Sequence, residues 1–455
     1  MARLFGTDGV RGVANQGLTP ELAFGLGRAA GHYFAQNAGP DLPDSGRIKI
    51  VIGKDTRVSG DMLEAALTAG ITSVGADVIN AGVIPTPGVA FLCRRLQAHA
   101  GVMISASHNP VEDNGIKFFD SQGFKLEDEV EDELEALYRR HTELGRPTGA
   151  GIGRSFSQPE ALQFYEEFLV KSVNTSFEGL KVVVDCGFGA AFYLAPKVLG
   201  ELGAEVIPLH AENDGSRINV KCGSTDIGAL QKAVLESSAQ LGIAHDGDAD
   251  RLIAVDELGN KVDGDQILAI CGLDLLREGK LRNRKIAVTV YSNLGLIQAY
   301  KQNQAEVVIT ANGDRYVLEA MKKHDLVLGG EQSGHIIFLD KNSTGDGILT
   351  ALQLIAVVAK SKQPLSKLAA QMERFPQVLK NVRVQRKEGW ENNSKIQAAI
   401  SNAEEELKER GRIFVRASGT EPLIRVMAEG PDEKELHRLV GMVVEVIQTE
   451  QGMRT

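Results

Sequence analysis

The sequence is poor in cysteine, with only four in 455 residues. Cys93, Cys186, Cys222 and Cys271 lie far apart, and no two form a CxxC pair. Such spacing reads as buried reduced thiols in place of a disulfide framework or a zinc site. There is also no excess of positive charge: 50 Lys and Arg stand against 60 Asp and Glu, a formal net charge of −10. That excludes the domain-wide basic surface of a nucleic-acid binder, but it leaves an anionic small molecule open, because a phosphate needs only a few local cations. No apolar run approaches the about 18 residues that cross a bilayer, and no basic-then-apolar leader opens the chain. The expectation is a cytoplasmic protein with no membrane partner. A full G-x-G-x-x-G is missing as well. Gly187-Phe188-Gly189 carries only its beginning and reads as a structural βα turn.

What is present is a globular composition, 43% apolar and 24% charged, in a chain long enough for three or four domains. Three β-rich runs, Ile48 to Gly53, Leu180 to Asp185 and Lys285 to Val290, each lead into a segment of helical periodicity, such as Met62 to Thr72. A second strand of recurring pattern follows each: Gly75-Ala76-Asp77-Val78-Ile79, Gly203-Ala204-Glu205-Val206-Ile207 and Gln304-Ala305-Glu306-Val307-Val308. Strand, helix, strand is the βαβ unit, so the fold class expected is α/β, with three similar mixed-sheet domains. Gly/Pro-rich residues 145–160, the Gly-Asn turn at Leu258-Gly259-Asn260, and Phe375-Pro376 mark the breaks. They divide the chain into 1–150, 160–257, 258–372 and 376–455. The last part lacks the βαβ rhythm. Strands at Val382 to Gln385 and Arg412 to Arg416, with helices over Ser394 to Glu409 and Glu433 to Gln448, predict a smaller α+β domain.

After each second strand a third apolar run ends in a distinctive loop. The first is Ile104-Ser105-Ala106-Ser107-His108-Asn109-Pro110, where Pro forbids smooth continuation and leaves Ser107 on a sharp turn at a strand end. Alone, that pair of Ser and His reads equally well as a solvated loop. The second loop carries Asp246, Asp248 and Asp250 at alternate positions, with Arg251 behind them. Three carboxylates in one tight loop repel one another unless a hard divalent cation joins them, and Mg²⁺ is favoured. An EF-hand loop would put Gly at the sixth position, where Arg251 stands, although Glu257 occupies the twelfth. The third loop, Gly330-Glu331-Gln332-Ser333-Gly334-His335, mixes acid, amide, hydroxyl and imidazole, which suits sugar hydroxyls or a plain turn. Near the C-terminus, Arg416-Ala417-Ser418-Gly419-Thr420-Glu421-Pro422, with Arg425, reads as a phosphate cradle or a hydrophilic turn. Gly6 to Gly12, containing Arg11, and Lys54-Asp55-Thr56-Arg57 supply further cations, and Lys117 stands close enough in sequence to reach the Ser107 loop.

Taken together, these four loops resemble the signatures of the α-D-phosphohexomutase superfamily, in family order and across nearly the whole chain. Phe5 to Gly12, Thr344-Gly345-Asp346-Gly347 and Pro422 to Met427 extend the resemblance. Gln332 stands where phosphomannomutase/phosphoglucomutase members typically carry Met, which favours an amino-sugar substrate. Asn312 and Asp226 depart from the pattern, where an apolar residue and His are usual.

The resemblance implies four domains around a central cleft, a homodimer as an allowed assembly, and movement of the last domain. It implies a phosphoserine at Ser107 and one Mg²⁺ held by Asp246, Asp248, Asp250 and a phosphoserine oxygen. Arg11, Lys117 and Arg251 would offset charge, with His108, Lys117 and His335 as acid–base candidates. Glu331, Ser333 and His335 would hold the sugar, while Arg416, Ser418, Gly419, Thr420 and Arg425 would grip the idle phosphate. Glucosamine 6-phosphate and glucosamine 1-phosphate would interconvert through glucosamine 1,6-bisphosphate. The alternatives are a glucose or mannose phosphate mutase and a metal-dependent sugar phosphatase.

Overall fold

The structure, a computed structural model, describes residues 3–6, 8–38, 46–418 and 422–452. The chain packs as two compact units, Met1–Tyr291 with Glu306–Gln371, and Ser292–Ala305 with Met372–Thr455.

The first unit holds three sheets. The first contains β1 (Val10–Val13), β2 (Lys49–Lys54), β3 (Asp77–Val83), β4 (Ala100–Ile104), β5 (Asp113–Asp120) and β6 (Ser155–Ser157), in the order β1-β5-β4-β2-β3-β6. The second contains β7 (Lys181–Asp185), β8 (Glu205–Leu209), β9 (Leu241–Ala244), β10 (Ile253–Asp256) and β11 (Lys261–Val262), in the order β11-β10-β9-β7-β8. The third contains β12 (Lys285–Thr289), β13 (Glu306–Thr310), β14 (Leu328–Gly330) and β15 (Ile336–Phe338), in the order β13-β12-β14-β15.

One motif therefore recurs. β3-β2-β4-β5, β8-β7-β9-β10 and β13-β12-β14-β15 each place three parallel strands beside one antiparallel strand. This is the expected α/β repeat. Its central strands read as unbroken apolar runs because both faces are covered. Ile50, Val51 and Ile52, Val182, Val183 and Val184, and Ile286, Ala287 and Val288 are all fully buried. Each large side chain among them contributes roughly 1.5–3 kcal/mol.

Two expected breaks take part in sheets. Residues 145–160 include β6, which extends the first sheet beyond β3. Leu258-Gly259-Asn260 is the tip of the β10–β11 hairpin, with Gly259 in the left-handed region, so the second sheet runs on to Val262. The next helix, Gly264–Arg277, begins at once with a capping box between Asp263 and Gln266.

The second unit is a three-stranded antiparallel sheet, β16 (Gln377–Arg383), β17 (Arg412–Ala417) and β18 (Leu423–Glu429), in the order β16-β18-β17. Helices Ser394–Leu407 and Glu433–Gln451 cover it, capped by the side chains of Asn393 and Asp432. Val382, Ile413, Ile424, Val426, Leu439 and Val443 form its core. Residues 292–305 join this unit because Glu429 on β18 accepts the Leu294 amide at 2.8 Å. Among the described residues, no helix is long and apolar enough to cross a membrane.

Candidate active site

The three distinctive loops of the first unit occupy equivalent places, each following the third parallel strand of its sheet: β4, β9 and β14. Strand carboxyl ends are where α/β sheets present reactive groups.

Ser107 lies in the left-handed region at φ +53°, a conformation costing an L-residue roughly 1–2 kcal/mol. Partners within and outside the loop hold it there. Its N–H donates to Ser105 Oγ at 2.8 Å, and its carbonyl accepts from Arg57 Nη2 at 3.0 Å and Asn219 Nδ2 at 2.8 Å. Arg57 also donates to the carbonyls of Asn109 (2.8 Å), Asp113 (2.9 Å) and Pro110. Asp55, fully enclosed, accepts from Arg57 Nε at 3.1 Å and from Ser105 Oγ at 2.6 Å. The result is an enclosed hydroxyl on a buried, over-determined backbone.

Ser107 Oγ donates to Asp246 Oδ2 at 2.5 Å. Asp248 Oδ2 accepts from Lys117 Nζ at 2.9 Å and Thr86 Oγ1 at 2.6 Å, while Asp250 Oδ2 lies 3.5 Å from His335 Nδ1. Asp246, Asp248 and Asp250 each bring a carboxylate oxygen within 4.8 Å of the others. Gly247 makes the meeting of the two loops feasible, since a Cβ there would sit 2.6 Å from the Ser107 carbonyl oxygen. Burial, then the charges of Asp250 and Asp248, pushes the Asp246 carboxyl well above its ordinary range. Burial works the same way on Asp250, but His335, Lys117 and Arg251 outweigh it and hold that carboxyl low. Among the described residues, Asp248 Oδ1 and Asp250 Oδ1 have no hydrogen-bond partner. Converging, mutually repelling carboxylates with orphaned buried oxygens fit a hard divalent cation.

A cavity of about 390 Å³ opens beside this cluster. Arg11, His108, Asp250, Arg251, Glu331, Ser333 and His335 line it. Ser333 Oγ donates to Glu331 Oε2 at 3.3 Å, and burial raises the Glu331 carboxyl. His335 Nε2 accepts the Gly345 N–H at 3.2 Å. Burial opposes protonation of His335, but Asp250 and Asp314 raise it. Burial and then Arg251 and Arg11 bring His108 down to about 4, with its Nδ1 3.3 Å from Ser107 Oγ. Arg11 pairs with Asp8 and donates to Asn109 Oδ1 at 3.1 Å, and Arg251 Nε is 3.8 Å from Asp250 Oδ1. Lys117 is not in the lining; its Nζ is clamped between Asp248 and Asp8, the latter at 3.1 Å.

Several site residues carried no local signal. Lys125 bridges Asp8 and Asp314 at 2.6 Å each, and Thr86 and Asn219 reach the loops from distant segments. Asp314 sits in the run noted only for the unusual Asn312, which also lines the cavity. A larger cavity, about 450 Å³ and floored by Cys271 and Phe338, contains none of the three loops.

In the second unit, Arg416 on β17 stands directly opposite Arg425 on β18. Like charges at opposed register positions destabilise a sheet and favour an anion between them. Ser418, nearly enclosed, donates its N–H to the Leu423 carbonyl at 2.8 Å. Gly419 and Thr420 lie outside the described residues.

Comparison with known proteins agrees with this layout. Four segments match the phosphoglucomutase/phosphomannomutase models in order: alpha/beta/alpha domain I at 2–145, domain II at 162–259, domain III at 263–375 and the C-terminal domain at 379–446. A curated relative, phosphoglucosamine mutase of Symbiobacterium thermophilum, is 58% identical over 452 residues, covering 99% of this chain and 100% of its own length. A phosphoglucomutase/phosphomannomutase family structure from Burkholderia thailandensis superposes with TM-score 0.79 at 22% identity, covering 99% of this chain and 98% of that one. The Aspergillus fumigatus N-acetylphosphoglucosamine mutase, in complex with GlcNAc-6P and magnesium, has TM-score 0.64 at 20% identity, covering 80% of this chain and 92% of that one. Sequence identity over the full length and the ordered domain matches lead to one conclusion: the chain belongs to the phosphoglucomutase/phosphomannomutase family.

Proposed function

We propose that the chain is a phosphoglucosamine mutase, an isomerase interconverting glucosamine 6-phosphate and glucosamine 1-phosphate and supplying UDP-N-acetylglucosamine synthesis. Full-length identity of 58% to a relative of that name supports the substrate. The observation that carries the chemistry is Ser107 Oγ, 2.5 Å from a carboxylate of the Asp246, Asp248, Asp250 group.

Ser107 carries a phosphoryl group and gives it to the free sugar oxygen, so the Ser O–P bond breaks as the sugar O–P bond forms. The product is glucosamine 1,6-bisphosphate. The other phosphoryl group then returns to Ser107, leaving the isomeric monophosphate. The three aspartates and a phosphoserine oxygen would hold Mg²⁺, which supplies charge neutralisation at the transferring group. The Aspergillus relative, solved with magnesium, supports that choice of ion.

The chain's own residues supply the rest by positioning and electrostatics. Lys117 fixes Asp248, and Arg11 and Arg251 face the anionic substrate from the cavity wall. Glu331, Ser333 and His335 engage sugar hydroxyls. His108, 3.3 Å from Ser107 Oγ, is placed to exchange its proton. Arg416, Ser418, Gly419, Thr420 and Arg425 grip the phosphate that is not reacting. Four free, buried cysteines support a reducing, cytoplasmic setting.

Intact mass with peptide mapping tests the phosphoenzyme, and kcat/KM on glucosamine, glucose and mannose phosphates tests the substrate. A phosphoryl group on Ser107 and preference for glucosamine phosphate are expected. Better turnover of glucose or mannose phosphate overturns the substrate, and stoichiometric release of inorganic phosphate overturns the mutase reading in favour of a phosphatase.

A further inference from the structure

A second group of metal-ligating side chains lies away from the aspartate triad. Asp185 ends β7, His210 directly follows β8, and Cys222 sits in the loop before the helix Gly228–Ser237. One ligand atom from each lies within 4.8 Å of the other two. We propose that Asp185, His210 and Cys222 form a binding site for a borderline-soft divalent cation of the Zn²⁺ class, separate from the oxygen-only triad.

The donor chemistry makes the distinction. Asp246, Asp248 and Asp250 offer only hard oxygen, whereas the second group offers carboxylate oxygen, imidazole nitrogen and thiol sulfur. Three such protein ligands with one open position is a recurrent zinc arrangement. The geometry is close to what an ion needs. Tetrahedral bonds of about 2.0–2.3 Å put ligand atoms roughly 3.3–3.8 Å apart. At present His210 Nδ1 is 2.9 Å from Asp185 Oδ1, so that pair opens by about half an ångström to admit an ion.

The carboxylate is already oriented. The Gly187 N–H donates to Oδ1 at 2.9 Å and the Gly223 N–H to Oδ2 at 3.0 Å, the outer hydrogen bonding that fixes a metal ligand's direction. Asp185 and Cys222 are fully buried, while the His210 side chain keeps 26% of its surface exposed. Entry is thus from the imidazole side. His210 also holds a left-handed φ of +48°, and its contact with Asp185 fixes the ring over the cluster.

Charge balances as well. A divalent cation with one thiolate, one carboxylate and one neutral imidazole is neutral overall. On binding, the thiol proton passes to bulk water and the imidazole presents a proton-free Nδ1 to the ion. The ion clips together residues 185, 210 and 222. The same loops carry Asn219, whose N–H donates to the Gly187 carbonyl at 3.0 Å and whose side chain holds the Ser107 carbonyl. The site does not depend on the mutase reading.

The test is titration of the full-length, reduced protein with Co²⁺, with excess Mg²⁺ present to occupy the aspartate triad. A near-ultraviolet thiolate-to-cobalt charge-transfer band is expected, saturating at one cobalt per chain and displaced by Zn²⁺. Cys222→Ser loses the band. His210→Gln, a change at a partly exposed position, weakens cobalt binding about tenfold or more. Cys271→Ser and Asp248→Asn keep the band. Absence of the band in the unaltered protein, or its survival in Cys222→Ser, overturns the proposal.

Discussion

The Ser107 loop and the aspartate loop meet at one hydrogen bond, yet they are built in opposite ways. The aspartate loop contains its own chemistry: three carboxylates at alternating positions within five residues. The Ser107 loop borrows its geometry. Its left-handed serine is held by Asp55, Arg57 and Ser105 from the first sheet and by Asn219 from the β8–α connection of the second. A cluster of carboxylates is a local composition, whereas a strained serine needs neighbours that over-determine it.

The contrast can be broken by substitution. The largest effect belongs to Ser107→Ala, which removes the proposed phosphoryl carrier. Phosphopeptide signal and mutase activity should both vanish, and full activity would end the phosphoserine reading. Asp248→Ala comes next. It removes one donor and strands Lys117 beside Asp8, and a fall in kcat of roughly 10²-fold or more is expected. Added Mg²⁺ should recover part of the loss, because metal affinity falls along with charge stabilisation.

Arg57→Met tests the borrowed geometry. Four carbonyls each lose the Arg57 donor while the aspartates stay intact. About 10²-fold in kcat is expected for a misplaced reacting group, with KM little changed. Asn219→Ala removes one of the two donors to the Ser107 carbonyl, and about tenfold in kcat is expected, again without a matching rise in KM. An unchanged kcat in both variants would show that the loop holds its own shape.

The smallest effect concerns support of the aspartate loop. Asp346 caps the helix Gly347–Ser361 by accepting the Leu349 N–H at 2.9 Å, and the Gly347 N–H donates to the Ala249 carbonyl at 3.0 Å. Burial raises the Asp346 carboxyl from 3.8 to about 6. Because the folded value lies above the unfolded one, the associated stability is fully present below about 4 and is lost as pH rises through about 6. Urea unfolding at several pH values should show this decline, on the order of 2–3 kcal/mol, and Asp346→Asn should flatten it. An equal slope in both proteins would place the decline elsewhere.

Much of the fold is legible in the residues alone. The central strands announce themselves as continuous Ile and Val runs because both faces are covered, and Gly and Asn turns mark the strand ends. The same signals misplace limits. Leu258-Gly259-Asn260 is the tip of the β10–β11 hairpin, so the second sheet runs a few residues past the turn, to Val262; a tight turn has one composition whether or not the sheet continues beyond it. Helix Glu433–Gln451 runs three residues past its expected end, up to the extended Gly452. In the site, Glu331, Ser333 and His335 from the third loop line one cavity. Lys125, Asp314 and Asn219 could not be read, because a single Lys, Asp or Asn has no local pattern.

The amino-acid sequence by itself determined the strand and helix rhythm, the order of the four loops, and the chemical type of each: hydroxyl, carboxylate, mixed polar, cationic. These depend on neighbours within a few residues, where periodicity and composition act directly. Only the tertiary structure decided that Ser107 is held left-handed beside Asp246, that Lys117 serves Asp248 in place of lining the cavity, and that Asp185, His210 and Cys222 converge. Those relations join residues up to 139 positions apart. The buried surroundings that set their charge exist only once the three sheets have packed.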